Sequence, residues 1–443
     1  MSLFFVAGAG IALLLFLVIT LRVPAFLALL VTSLLVGLGS GLAPEQVINS
    51  IKNGMGGTLG FVAIVVGLGA ILGQILESSG GIERIAGSLV RSFGPEKVQW
   101  SLGLTGFIVA IPVFFDVAFI ILAPLLYGLA NRSGRSLLYY AIPLLAGLAI
   151  THSFIPPTPG PIAVAELINA DLGWVILFGA ITGIPAMIIA GPMFGKFIGK
   201  RIFIAVPEAH KTQGKPSDVP SPSFAWVASI ILLPLLLIML ATTSPFFLSQ
   251  DSLLLEILSF LGHPFVALTI ATILAMLIAH TKCDLSKQSL LKIANKGLEP
   301  AGVVILITGA GGAFKQVLID SGVGQMLASV FIEAQFSVLI LGFLIAAITR
   351  IAQGSATVAM ITGAGLIAPV LALQPMSAAM LGLLVIAISS GATILSHVND
   401  SGFWLVSRYL GMSEKDTLKT WTVMTTLISL TGLASCLLIS MFL

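Results

Sequence analysis

Charge is what this chain of 443 residues most lacks: Asp, Glu, Lys and Arg together make up 9% of it. Soluble proteins of average composition carry about 25%. The deficit excludes a cytosolic globular enzyme, a disordered chain and a nucleic-acid binder. Cysteine is nearly missing too. Cys283 and Cys436 lie far apart in apolar surroundings and offer neither a disulfide framework nor metal-ligand spacing. Gly195-Lys196, Gly199-Lys200 and Gly214-Lys215 are not followed by Ser or Thr, so there is no Walker A loop. No histidine precedes a glutamate as a zinc-protease helix requires, and no G-x-S-x-G elbow is present. An arginine ladder and a T-V-G-Y-G filter are also absent. The sequence therefore predicts no ATP hydrolysis, no cofactor, no metal and no enzyme chemistry.

What is present is apolar. Hydrophobic residues make up 57% of the chain, and the mean hydropathy is +1.11. That describes one polytopic, all-α membrane protein, with 46 glycines and 22 prolines suited to close helix packing and broken helices. The first apolar run, about Leu3 to Thr20, has no basic stretch before it and no small-residue cleavage site after it, and reads as a spanning helix rather than a cleaved signal. A crossing needs ~20 mostly apolar residues. Runs of that kind begin near Leu3, Val23, Leu59, Ser136, Gly173, Ser223, Pro264, Ala301, Pro375 and Leu418. Two more, about Val98–Ala130 and Gln335–Leu373, are interrupted by polar residues; each is two short crossings or a re-entrant hairpin, and the positive-inside rule selects hairpins. With both termini outside, 18 of the 21 Lys and Arg fall inside, Lys52 alone falls outside, and Lys315 and Arg350 lie at membrane depth.

The chain repeats itself. Residues Ile51–Ala86 and Ile293–Ala328 match at 11 of 36 positions at a constant shift of 242, including Asn53 with Asn295, Gln74 with Gln316 and Ser79-Gly80 with Ser321-Gly322. Apolar bias does not put Asn, Gln and Ser-Gly in register. The expected organisation is a first repeat at 1–200 (hairpin about 98–130, broken helix about 136–168), a cytoplasmic linker at 201–222, and a second repeat at 223–443 (hairpin about 335–374, broken helix about 375–410). Five crossings per half make the second repeat inverted. Inverted repeats with broken helices mark secondary transporters whose site lies near the midplane.

Four polar clusters fall inside apolar runs, where irregular backbone survives only if buried in protein or lining a wet cavity. Asp116, in Pro112–Asp116, is the lone charged residue of its hairpin. It reads as a proton carrier or substrate-site group, or else as a helix cap or internal counter-ion. In Thr151–Pro161, four prolines unwind the helix and leave a fresh helix N-terminus for an anion, with His152, Ser153, Thr158 and Gly160 at hand. In Arg350–Thr357, Gly354 permits a tight tip, Ser355 and Thr357 offer hydroxyls, and Arg350 either clamps a carboxylate or pairs with Asp400 or Asp116. In Ser396–Gly402, His397, Asn399 and Asp400 read as a substrate-facing break or as a polar cytoplasmic helix end. Trp100, Trp174, Trp226, Trp404 and Trp421 fall near expected helix ends, as interface anchors do.

The stretches His152–Pro161, Arg350–Thr357 and especially Ser396-His397-Val398-Asn399-Asp400-Ser401-Gly402-Phe403-Trp404 resemble the gluconate permease (GntP) family of bacterial proton symporters. Gly311–Leu318 and Gly57–Gly60 match it as well, and the resemblance runs over essentially the whole chain. It implies a multi-pass protein of the inner membrane, a homodimer, an elevator-type motion, and uptake of gluconate, idonate or fructuronate; some members take D-serine or small hydroxy acids. On this reading the substrate meets His152, Ser153, Thr158, Gly160, Arg350, Gly354, Ser355, Thr357, His397, Asn399 and Asp400, and the proton rides on Asp116, Asp400 or His152. Sodium coupling stays open, since carbonyls and hydroxyls at the breaks suit that ion. A channel or a membrane-embedded enzyme is the more distant alternative.

Overall fold

The computed structural model describes residues 3–207, 222–249, 251–323 and 337–443. Most of the expected linker and the first residues of the second hairpin lie outside them. No strand occurs among the described residues. The first half runs α1 (Leu3–Leu15, continued by a π turn to Thr20), α2 (Ala25–Gly39), α3 (Pro44–Ser78), α4 (Gly81–Phe93), α5 (Val98–Val109), α6 (Phe115–Ser133), α7 (Leu138–Phe154), α8 (Pro159–Leu167), α9 (Leu172–Ile188) and, through a π turn, α10 (Phe194–Arg201). The second half runs α11 (Phe224–Thr243), α12 (Leu253–Leu261), α13 (Pro264–Lys282), α14 (Lys287–Asp320), α15 (Val338–Gln353), α16 (Ala356–Leu373), α17 (Ala378–Gly391), α18 (Ser401–Leu410), α19 (Glu414–Thr417) and, through a π turn, α20 (Val423–Ser440).

Eight helical stretches among these are long and apolar enough to cross a bilayer. Seven of the eight coincide with expected crossings; the other, Phe115–Ser133, is an arm of the first hairpin. Two expected crossings fall short because their helices end early: α2, and the segment broken between α17 and α18.

The long helices α3 and α14 lie along each other in opposite directions. A side chain on Gly54 would meet Gln316, and one on Gly297 would meet Gln74, so early residues of each helix face late residues of the other. Gly309 packs onto Leu59 between them. The pair is tied at one end by Ser50 Oγ donating to Asp320 Oδ2 at 2.6 Å.

Each hairpin packs its first arm on the broken helix that follows it. In the first half, α5 and α7 cross at Gly106 and Gly147, where a Cβ on Gly147 would lie 2.6 Å from the Phe107 nitrogen. Thr151 Oγ1 donates to the Phe107 carbonyl at 2.8 Å in the same seam. In the second half, α15 and α17 cross at Gly391, where a Cβ would lie 2.9 Å from the Phe343 carbonyl carbon. Backbone against backbone leaves nothing flexible to yield. Gly147→Val is therefore expected to destabilise the protein by about 3 kcal/mol, the upper part of the overpacking range, read as a lowered Tm in lipid-supplemented detergent. Gly128→Val, at a position with open space around it, is expected to leave Tm nearly unchanged.

Candidate functional site

The two hairpin tips and the second helix break meet the first broken helix around one cavity of about 390 Å³. Small-molecule sites commonly occupy roughly 300–1,000 Å³. The first hairpin contributes the start of α6. Proline at position 112 and the turn through Phe114 end α5, and Asp116 falls in the first turn of α6, exposed to the cavity. The second hairpin turns at Gly354, whose backbone is left-handed at φ +90, and Ser355 caps α16 by accepting from the Val358 N–H at 3.4 Å. His152 and Ser153, in the last turn of α7, form another wall.

The second break is the most heavily bonded part. Asp400 caps α18, its Oδ1 accepting from the Gly402 N–H at 3.1 Å. Its Oδ2 accepts from Arg350 and from the Ser396 hydroxyl. Arg350 also donates to the Gly354 carbonyl, so one guanidinium joins a hairpin tip to a helix break. Asn399 adds a second tie, donating through Nδ2 to the Ile351 carbonyl at 2.9 Å. Ser396 is held in turn by the Trp421 indole, which donates to its Oγ at 2.6 Å.

Arg350 thus takes the counter-ion role to Asp400, and its side chain is buried at 5% exposure. The pair does not use all its polar capacity. Arg350 Nε, Gln353 Oε1 and His152 Nδ1 are buried atoms with no protein partner among the described residues, and all three residues line the cavity. Three helices, α6, α16 and α18, also begin at the cavity wall. Their first N–H groups carry partial positive charge toward it. Counted by formal charge with histidine taken as neutral, the charged lining, Asp116, Asp400 and Arg350, sums to one negative charge.

Of the residues singled out from the sequence, Asp116, His152, Ser153, Arg350, Gly354, Ser355, Thr357, Asn399 and Asp400 line this cavity. Thr158, Gly160 and His397 do not. Thr158 stands at the N-cap position of α8 but turns its hydroxyl onto the Ile155 carbonyl at 2.6 Å, beside a separate small void. Gly160 abuts the Met360 sulfur. His397 faces outward and contacts the Leu395 carbonyl at 2.9 Å. The helix start after the prolines is also a poor anion site. Pro159 and Pro161 occupy its first turn and have no N–H to give. Trp421, Thr425, Thr393 and Gln353 line the cavity without having been singled out as site residues. Trp421 is not an interface anchor: it is 4% exposed and packs on Phe115. Its spacing from a helix end resembles that of a surface tryptophan, and only the tertiary contact separates the two.

The comparisons with known proteins agree with this architecture. Residues 1–442 match the model of the GntP family permease. The chain is 41% identical over 436 residues to the low-affinity gluconate transporter of Escherichia coli strain K12, covering 98% of this chain and 97% of that one. It is 41% identical over 425 residues to a gluconate permease of Pseudomonas aeruginosa, covering 95% and 94%. It is 39% identical over 435 residues to the Gnt-II system L-idonate transporter of Escherichia coli strain K12, covering 98% of each. Among solved structures, the YdaH transporter of Alcanivorax borkumensis superposes with a TM-score of 0.66 over 94% of this chain and 97% of that one, at 17% identity, a likeness of fold. With helices fit to cross a bilayer and a family match from end to end, this multi-pass membrane protein is a transporter and not an enzyme, and it belongs to the GntP permease family.

Proposed function

We propose that this chain is a proton-coupled symporter that brings gluconate or a closely related sugar acid across the inner membrane. The observation that carries the reading is the meeting of both hairpins with the end of α7 and the α17–α18 break around one cavity lined by polar side chains. The relatives are named for gluconate and L-idonate, and such polyols with one carboxylate suit this lining. The carboxylate would take the helix starts and the free edge of Arg350. Ser153, Ser355, Thr357 and Asn399 would read hydroxyls.

Charge supplies the argument for the proton. The lining is already negative by one, and a bound sugar acid makes it negative by two. Taking up one proton with the anion restores the starting charge, so substrate and proton favour each other's binding. Asp116 is the candidate carrier, because Asp400 is committed to Arg350, Ser396 and the Gly402 N–H.

The organisation proposed with it is two inverted repeats, 1–200 and 223–443, joined through 201–222, with both termini periplasmic. Support comes from α3 and α14, which match in sequence at the shift of 242 and run antiparallel against each other. The hairpins and broken helices would move as one body against a homodimeric scaffold containing α3 and α14, in elevator fashion.

The test is uptake of labelled gluconate into proteoliposomes under an imposed proton gradient and, separately, a sodium gradient. Accumulation driven by protons alone is expected. Equal accumulation under sodium alone would overturn the coupling, and no uptake under either would overturn the substrate. Asp116→Asn is expected to abolish gradient-driven accumulation, tenfold or more, while retaining exchange of internal for external gluconate. Unchanged accumulation by that variant would remove Asp116 from the proton's path.

A further inference from the structure

A second groove, of about 750 Å³, lies away from the transport cavity, between the α6–α7 turn and α10. Three cations line it: Arg135, Lys196 and Lys200. Lys196 and Lys200 are one helical turn apart on α10 and so share a face. Arg135 is held across from them, its guanidinium 4.7 Å from the centre of the Tyr139 ring. The floor between them is tight, because a Cβ on Gly199 would sit 3.1 Å from the Tyr139 backbone. Ser136 pins the far wall, donating to the Ile202 carbonyl at 2.9 Å and accepting from the Ile204 N–H at 3.1 Å. Glu96 also lines the groove, yet none of the three cations has a carboxylate within ion-pairing distance among the described residues. The start of α7 at Leu138 adds its positive end beside Ser136 and Tyr139.

The neighbourhood separates one anion from another. Phe203, on the groove's edge, is 69% exposed. Met193 and Phe197 are exposed on the same end of the α9–α10 span, and Arg201 stacks on Phe197 with its guanidinium 4.0 Å from the ring centre. A soluble phosphate has no use for that apolar border. A phospholipid has, since its acyl chains run down such a strip while its phosphate meets the cations. Clustered Lys and Arg where helices leave the apolar layer attract anionic lipid at about 1 kcal/mol per cation.

We propose that the Arg135–Lys196–Lys200 groove is a binding site for the phosphate of an anionic phospholipid, with its acyl chains laid along α10. The site is independent of the transported substrate, so its test reads lipid binding and not uptake. The full-length protein in detergent is titrated with phosphatidylglycerol, with phosphatidylcholine of the same acyl chains, and with inorganic phosphate, and Tm is followed. Phosphatidylglycerol is expected to raise Tm in a saturable way, well beyond the other two. Lys196→Gln/Lys200→Gln is expected to weaken the apparent affinity roughly 25-fold, about fivefold per lysine, with Tm in phosphatidylcholine unchanged. Lys196→Arg/Lys200→Arg is expected to keep the response, and Arg135→Gln alone to weaken it should the double variant fold poorly. Equal responses to the two lipids, or a response that survives both charge-removing variants, would overturn the site. An inorganic phosphate response as large as the lipid's would overturn the lipid assignment.

Discussion

Asp400→Asn is expected to abolish gluconate uptake and to cost the fold about 3 kcal/mol. The side chain is nearly isosteric, so the effect is one of charge. Arg350 and Asp400 are 5% and 12% exposed. Removing one partner of such a pair leaves the other charge buried without compensation, which costs about 3–5 kcal/mol. The low end applies here because the cavity admits water to one side of the pair. Arg350 already has one unpartnered nitrogen and depends on Asp400 and the Gly354 carbonyl for the others.

The double variant Arg350→Met/Asp400→Asn separates the two roles of the arginine. Neutralising both partners removes the uncompensated charge, so most of the lost stability is expected to return. If Arg350 also holds the substrate carboxylate, uptake stays at background in the double variant. Tm and uptake measured on the same preparations distinguish these outcomes. Normal uptake by Asp400→Asn alone would sink the account of the pair as the centre of the site.

Where helices end inside the apolar runs was largely legible because each end demands a residue that a continuous apolar helix avoids. Gly354 permits a left-handed turn, the prolines at 156, 157, 159 and 161 cannot continue a helix, and Asp400 is a good helix cap. Whether a polar group faces the cavity was not legible. Thr158 and Ser355 both stand at the N-cap position of a helix, yet one turns back on its own loop and the other caps its helix and lines the cavity. Sequence order carries no information about that rotation, which only the packing of each helix on its neighbours decides. Arg350 shows the same limit. The sequence left three partners open for it, and only the approach of α15 to the α17–α18 break selects Asp400. His397 lies two residues from Asn399, yet it points away and Asn399 reaches back to the hairpin.

Gly354→Ala should reduce transport about a hundredfold without preventing membrane insertion. Two costs coincide at this residue. Its φ of +90 and ψ of −16 lie in the left-handed region, where a Cβ costs about 1–2 kcal/mol. The new Cβ would also lie 2.6 Å from the Asn399 carbonyl carbon and closer still to its oxygen. Both are backbone atoms of the α17–α18 break, so the hairpin tip and the break must move apart. That movement pulls the Gly354 carbonyl from Arg350 and strains the Asn399 bond to Ile351. A displacement of about 1 Å in a positioned site is enough for a loss of 10²-fold. Gly134→Ala is the control, because Gly134 has a similar left-handed φ of +67 and open space where its Cβ would go. It incurs only the backbone strain, far from the cavity, and is expected to transport at close to the normal rate. Equal losses in the two variants would assign the effect to strain in general and not to the contact between hairpin and break. A loss confined to Gly354→Ala would show that transport depends on how closely the second hairpin approaches the α17–α18 break.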